Sequence, residues 1–287
     1  MCGHATENNQ ILGQRLNTSQ GTNPKAISGI SVTIVKCNNC RLIYSNPQPI
    51  PVDIQDHYGV PPESYWTDAY FLEDKHYFHD SLVVLNKLMT IESGMKALDI
   101  GAGIGKCIIA LDKVGFDTYG LEPSVTFRDK AISRMNIDGS KLKLGMVEDI
   151  TYDPESFDFI TFGAVLEHLY DPAANIEKAL NWLKPNGLIH IEVPSSSWLM
   201  QKLFNYYYRM RGTTYVTNLS PMHEPYHMFE FEINSFLELS KRLNFSVAHF
   251  EYPVCNIFHV PKILHKPLKW YMKKSNTGMQ LSVWLRK

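Results

Sequence analysis

The chain has 287 residues, 44% of them hydrophobic and 20% charged, with a formal net charge of −1. That content buries one large core, or a core with a small appendage, and lacks the basic excess of a non-specific nucleic-acid binder. No apolar run approaches the ~18 residues of a membrane span, and the polar stretch 1–20 lacks the apolar centre of a secretion signal, so a cytoplasmic location is the default expectation.

Residues 1–60 read as a separate extension and 61–287 as the main domain, with an insertion at 195–236. The five cysteines suit a reducing compartment with a metal site better than a disulfide framework. Cys2 and His4 open the chain, an alternating run over 30–35 predicts a strand, and Cys37-Asn38-Asn39-Cys40 follows it. That C-x-x-C spacing folds two thiolates onto one metal, which predicts a structural zinc held by Cys2, His4, Cys37 and Cys40. The two-residue separation of Cys2 and His4 is unusual for such a site, and a small hairpin with free thiols is the alternative. A proline-punctuated linker carrying Tyr58, Tyr65 and Trp66 comes next, and its aromatic residues either cover a ligand or pack into the core.

A helix is expected over 71–89, with Leu82, Leu85 and Leu88 on one face and Gly94 as terminator. Lys96-Ala97-Leu98-Asp99-Ile100-Gly101-Ala102-Gly103-Ile104-Gly105, followed by the apolar run 107–111, then reads as strand, tight turn and helix. Alternating glycines let a ligand lie directly against the main chain. A dinucleotide fingerprint requires G-x-G-x-x-G, whereas the third glycine here falls one position early and Lys106 takes the last place.

The residues downstream continue a βα alternation. Glu122 ends a short strand about 20 positions beyond the turn, where a carboxylate accepts from ribose hydroxyls. Glu148 and Asp149 precede Ile150, the run 156–162 is a strand covered on both faces, and Gly163 leads to Glu167-His168-Leu169-Tyr170-Asp171-Pro172. A helix over 173–183, Lys184-Pro185-Asn186-Gly187 and a strand over 188–194 follow. The insertion carries Trp198, Phe204, Tyr206, Tyr207, Tyr208, Arg209 and Arg211, which read either as an acceptor pocket or as a helix packing its apolar face. A helix over 236–243 and strands over 245–252 and 280–286 close the chain. The lysine- and aromatic-rich stretch 259–274 reads best as a solvated helix face.

D-x-G-x-G-x-G after a strand, Glu122, the acidic-apolar pair Asp149-Ile150, the segment 163–172 and Leu-Lys-Pro-x-Gly together resemble the class I S-adenosylmethionine (SAM)-dependent methyltransferases. The resemblance implies an α/β, Rossmann-like fold with a seven-stranded, mostly parallel sheet whose last strand is antiparallel. It assigns Asp99, Gly101, Ala102, Gly103, Gly105, Glu122, Pro123, Asp149, Ile150, Phe162 and Gly163 to the cofactor, which leaves as S-adenosylhomocysteine. The cysteine knuckle followed by Asn46-Pro47-Gln48-Pro49 resembles the extension of the sugar C-methyltransferases. Their active-site histidine corresponds to His227, although Tyr226 and Glu224 have exchanged the family's usual places.

That resemblance implies methyl transfer to a small-molecule acceptor, a sugar or glycosylated metabolite among the candidates, with no nucleic-acid partner. The alternative is a catalytically silent SAM-binding protein acting through protein association. Methyl transfer from a sulfonium is chiefly a matter of positioning, and a base is needed only where the acceptor starts protonated. His227 is the first candidate for that base, with His223, Glu224 and Tyr226 beside it and His168 as a further histidine near the fourth strand.

Overall fold

The structure, a computed structural model, describes residues 1–7, 9–18, 29–50, 66–72, 74, 76–255, 257 and 260–287. The strands are β1 Gln10–Leu16, β2 Ser31–Lys36, β3 Ile43–Ser45, β4 Lys96–Ile100, β5 Asp117–Glu122, β6 Leu142–Leu144, β7 Phe157–Gly163, β8 Leu183–Pro194, β9 Phe229–Glu230, β10 Ser246–Glu251 and β11 Gln280–Arg286. Helices are α1 His79–Leu88, α2 Lys106–Lys113, α3 Val125–Met135, α4 Pro172–Trp182, α5 Leu199–Met210, α6 Ile233–Ser240 and α7 His265–Ser275. Seven strands form a Rossmann-like sheet in the order β10-β11-β8-β7-β4-β5-β6, mostly parallel with the last strand antiparallel, as the motifs imply. No helix among the described residues is long and apolar enough to cross a membrane.

The chain divides into two compact units. In the unit formed by Pro51–Gly163, Ala174–His190 and Leu285–Lys287, β4 is flanked by β5 and β7, parallel to both. Leu98, Ile100, Phe159 and Ile160 are buried, as central parallel strands covered on both faces require. Gly120 pairs with Asp99, and a Cβ on it would come within 2.8 Å of Ile108 and Leu142, so its lack of a side chain lets α2 pack close to the sheet. Since sequence order reverses at β4, the ligand crevice of this architecture falls at the carboxyl end of that strand.

The expected helix over 71–89 is shorter. A 3-10 turn, Asp68–Phe71, precedes it, and Phe78 adopts a left-handed φ of 62° before α1 starts at His79. Trp66, Tyr70 and Phe71 instead pack on the cluster containing Ala102, Ile104 and Ile137. Tyr58 and Tyr65 lie outside the described residues. β8 starts earlier than the sequence suggests, at Leu183, and passes through Asn186 at φ 65°. Gly187 is required there because a Cβ would sit 2.9 Å from the Asp158 carbonyl.

In the unit formed by Met1–Ile50, Ala164–Ala173 and Ile191–Trp284, the N-terminal strands join one from the insertion in a four-stranded antiparallel sheet, β1-β2-β3-β9. Val32, Ile34 and Ile43 share a core with Val216 and Leu219. The insertion helix α5 packs: Phe204 and Tyr208 meet Leu16 and Tyr215, while Tyr206 and Tyr207 are exposed. α6 starts earlier than expected because Glu232 and Ser235 form a reciprocal capping box. On α7, Met272 is buried while Lys266, Lys273, Lys274 and Trp270 face solvent.

One buried carboxylate ties this unit together. Glu230 accepts from Gln201 Nε2 and Asn218 Nδ2, each at 2.7 Å, and from the Leu219 N–H at 2.9 Å. Glu230→Leu strands these buried donors, and at about 1–3 kcal/mol for each unsatisfied group a loss of roughly 3 kcal/mol or more is expected. Urea unfolding of the variant measures this, and an unchanged midpoint would remove Glu230 from the account.

Candidate active site

Gly101, Gly103 and Gly105 carry φ values of 75°, 55° and 83°, all in the left-handed region that glycine adopts without steric cost. The Gly101 and Ala102 amides both donate to the Leu121 carbonyl, at 2.8 and 2.9 Å, and Gly105 donates to Ala102 at 2.8 Å. These bonds fold the chain back across the end of β5. The last two glycines serve different ends. A Cβ on Gly105 would collide with Ile137 at 2.6 Å, whereas one on Gly103 would meet nothing within 4 Å. Gly105 answers to protein packing, and Gly103 leaves the main chain bare toward open space.

Glu122, 5% exposed at the end of β5, reaches this turn. Its Oε2 accepts the Gly103 N–H at 2.7 Å and its Oε1 accepts the Ser124 N–H at 2.8 Å. Ser124 caps α3 by accepting from Phe127 N at 3.4 Å. Burial raises the Glu122 carboxyl to about 7, against the opposing pull of those two amides. Asp99, 4% exposed on β4, is raised to about 8 by burial and then by the charge of Glu122. Two carboxyls therefore flank the bare turn, poised to gain charge close to neutrality.

The remaining cofactor candidates fall into place individually. Pro123 is half-buried between Glu122 and the α3 cap. Asp149 is exposed, whereas Glu148 accepts from Asn175 at 3.4 Å and its carbonyl accepts from Lys178 at 2.7 Å, which leaves Asp149 as the available acid of the pair. Ile150 lies against Gly145, whose φ is 150°. Phe162 is fully buried and pairs in register with Ile100, so it offers a ligand only its backbone; Gly163 is exposed with open space around its α-carbon. Trp66 packs edge-on against Phe127, 5.1 Å between centroids.

In the other unit, a 3-10 turn (Leu166–His168) follows Ala164, which holds a left-handed φ of 56°. The Met228 N–H donates to the Glu167 carbonyl at 2.9 Å, and Ser220 binds His227 twice: its N–H donates to the His227 carbonyl at 3.1 Å and its Oγ accepts the His227 N–H at 3.3 Å. Glu167, His168 and His227 are thereby brought together, with all three ligand-type atoms within 4.8 Å of one another. Burial lowers His227 to about 4, so its imidazole is neutral at pH 7, and burial together with Glu192 raises Glu167 to about 8.

His223 is oriented differently. Its Nδ1 lies 2.7 Å from the Glu224 carbonyl, which only accepts, and its Nε2 lies 3.3 Å from Arg15 Nη2, which only donates. Both ring nitrogens are committed, so His223 orders the loop. Glu224 is exposed, and Tyr226 is half-buried at φ 59°. The sequence reading passed over Glu167 and Arg15. An acid beside a histidine after a buried strand was a signal for the first; nothing local marks the second, which acts across 208 positions.

The thiols of Cys2, Cys37 and Cys40 also cluster, with Cys2 Sγ 3.6 Å from Cys37 Sγ; His4 is exposed and stands outside the group. Burial pushes Cys40 up to about 12. Burial also acts to raise Cys2, but the His4 N–H and the side chains of Cys40, Asn39 and Cys37 outweigh it and bring that thiol down to about 7.

Residues 74–249 match a family described as a methyltransferase domain. The chain is 31% identical over 117 residues to a ubiquinone biosynthesis O-methyltransferase of Rhodopseudomonas palustris (strain HaA2), covering 39% of this chain and 45% of that protein. It thus spans less than half the length of that curated relative. Its fold is similar to that of an S-adenosylmethionine dependent methyltransferase from Mesorhizobium loti (TM-score 0.52, 15% identity, 71% of this chain and 96% of that one). It is also similar to that of Haemonchus contortus phosphoethanolamine N-methyltransferase 2 in complex with S-adenosyl-L-methionine (TM-score 0.53, 16% identity, 82% and 60%). The family match runs through the glycine turn, Glu122, Glu167 and His227, and the chain belongs to the methyltransferase-domain family.

Proposed function

We propose that the protein transfers a methyl group from SAM to a hydroxyl-bearing small molecule. The observation that carries this reading is Glu122 gripping a glycine turn whose central α-carbon faces open space. Gly103 offers main chain to the methionine part of a nucleoside, Glu122 and Asp99 offer acceptors to its hydroxyl and ammonium groups, and Asp149 with Ile150 suits the adenine amine and ring. SAM, when bound, supplies a methyl group activated by a sulfonium and leaves as S-adenosylhomocysteine.

His227 is the acceptor-side residue in this reading, with the loop around His223, Glu224 and Tyr226 as its frame. The backbone of His227 is fixed by Ser220, and orientation of this kind contributes up to about 7–11 kcal/mol to a bimolecular transfer. Sugars and glycosylated metabolites fall within the acceptor class that the cysteine-knuckle resemblance favours. The ubiquinone-biosynthesis relative, an O-methyltransferase by its name, favours oxygen as the methylated atom.

The thiols of Cys2, Cys37 and Cys40 fit a structural zinc, which would bind their thiolates and supply folding energy rather than chemistry. Zinc analysis of protein purified without chelator is expected to find the metal, and Cys40→Ser to lose it. A zinc content near zero would end this part of the reading.

Two outcomes separate a ligand cradle from ordinary packing. Gly103→Ala is expected to fold, at about 1–2 kcal/mol for a side chain in the left-handed region, yet to bind S-adenosylhomocysteine at least tenfold more weakly. Gly105→Ala, which adds a clash with Ile137, is expected to lose stability first. Calorimetry and thermal melts on both variants provide the check, and full affinity in Gly103→Ala would contradict the cradle.

The carboxyls set a pH dependence of known sign. With Asp99 near 8 and Glu122 near 7, raising the pH from 6 to 9 ionises both and strengthens them as hydroxyl acceptors, so affinity for S-adenosylhomocysteine rises. Glu122→Gln flattens that rise. Stability of the unliganded protein moves the other way. The folded state retains protons that the unfolded chain gives up near 3.8 and 4.5, so this contribution is present below about pH 4 and is lost as the pH climbs to about 8. Calorimetric titrations and denaturation across pH 5–9 read both slopes, and an affinity that falls with pH would overturn the assignment of the two acids.

A further inference from the structure

The last acidic residue of the chain is Glu251, and the 36 residues after it hold seven Lys and Arg. A protein with a net charge of −1 has thus gathered positive charge into one stretch. Most of it falls on α7 and on the 3-10 turn before it, Lys262–Leu264. α7 turns Leu268 and Met272 inward and leaves Trp270 65% exposed. Lys266 and Lys274 stand one turn before and one turn after that indole on the same face, with Lys273 beside it. Lys266, Lys273 and Lys274 carry no ion pair among the described residues. Ahead of the helix, Ile263 is 84% exposed and Leu264 is exposed as well.

α5, in the same unit, repeats the arrangement. Leu203, Tyr206 and Met210, at positions i, i+3 and i+7, form an outward row, with Met210 71% exposed. Lys202, Arg209 and Arg211 edge this row, and no acid occurs between Glu192 and Glu224. The two helices share one buried cluster through Met200, Phe204, Leu268 and Met272, and the Leu199 N–H donates to the Thr277 carbonyl at 3.2 Å. Their inner faces are therefore occupied by each other's neighbours, and the apolar residues left outside are surplus to the core. Single exposed apolar residues need no explanation, but rows of them set among cations mark a contact surface.

The chemistry of the face selects its partner. A second copy in a two-fold contact would set these cations against their own counterparts. A nucleic acid would use the aromatic rings for stacking but gives Ile263, Leu264, Leu203 and Met210 no role. An anionic lipid surface uses all of them. Trp and Tyr settle at headgroup level, Lys and Arg reach the phosphates, and aliphatic tips enter the acyl boundary.

We propose that the outer face of α7, together with Ile263 and Leu264 and with the Leu203–Met210 row of α5 as a second anchor, seats the protein on an anionic phospholipid bilayer. The association is peripheral, since no helix among the described residues is long and apolar enough to cross a membrane. It is independent of the cofactor reading, because no residue of the face belongs to the glycine turn or its two carboxyls.

The test is flotation of the full chain with vesicles of equal parts phosphatidylglycerol and phosphatidylcholine, and with vesicles of phosphatidylcholine alone. Binding to the anionic vesicles only is expected, weakening as salt is added. Joint reversal of the cations, Lys266→Glu with Lys273→Glu and Lys274→Glu, is expected to weaken it by roughly tenfold or more. Trp270→Ser and Met210→Asp should each weaken it at low salt, where charge alone is strongest. S-adenosylhomocysteine calorimetry on the same samples should be unchanged, which shows that the variants are folded. No flotation with anionic vesicles at low salt, or flotation that none of these substitutions diminishes, would overturn the proposal. So would a dimer in sedimentation that the same substitutions dissolve, or capture of a single-stranded oligonucleotide, in the absence of vesicle binding.

Discussion

The Glu122 carboxylate is the tie on which the glycine turn after β4 depends. One oxygen takes the Gly103 amide and the other the Ser124 amide, so a single buried acid joins the turn after β4 to the start of α3. The turn needs that tie, because three residues in the left-handed region make no regular ladder of their own. The bonds of Gly101 and Ala102 to Leu121 brace it from below. What results is a rigid bend with its middle residue stripped of side-chain cover, set at the strand where sheet order reverses.

The unit formed by Met1–Ile50, Ala164–Ala173 and Ile191–Trp284 follows a different principle. Non-glycine residues with positive φ recur in it: Ala164 at 56°, Leu219 at 60° and Tyr226 at 59°. Each costs of order 1–3 kcal/mol and persists only where surrounding bonds over-determine it. Those bonds are present, from Ala164 to the Glu192 carbonyl, from Leu219 to Glu230 and from Tyr226 to the His223 carbonyl. The strained backbone carries Glu167, His168 and His227 into one group, and the buried network of Glu230 anchors the insertion that supplies the last of them.

Much of this was legible before any coordinates. The alternating glycines, the acid at the end of the next strand and the apolar run 156–162 each reflect a local requirement, and local requirements leave patterns in sequence. The seven-stranded, mostly parallel sheet with an antiparallel last strand was implied by the resemblance those motifs carry, while its strand order was not. Harder to see were features that depend on distant partners. The pairing of β3 with β9 joins positions nearly two hundred residues apart, and two-residue strands have no periodicity to detect. Glu167 stood within the segment 163–172 without a role of its own, because the lack of a hydrogen-bond partner at its Oε2 is a property of the folded surroundings. The expected helix over 71–89 begins only at His79, because Phe71 ends a 3-10 turn packed on the core with Trp66 and Phe78 takes a left-handed φ.

The most direct measurement is calorimetry of the full chain against S-adenosylhomocysteine and, separately, NAD. An account built on a bare turn between two carboxyls, with the third glycine one position short of the dinucleotide spacing, predicts one S-adenosylhomocysteine per chain and no NAD. Tight binding of NAD with no heat from S-adenosylhomocysteine would contradict it.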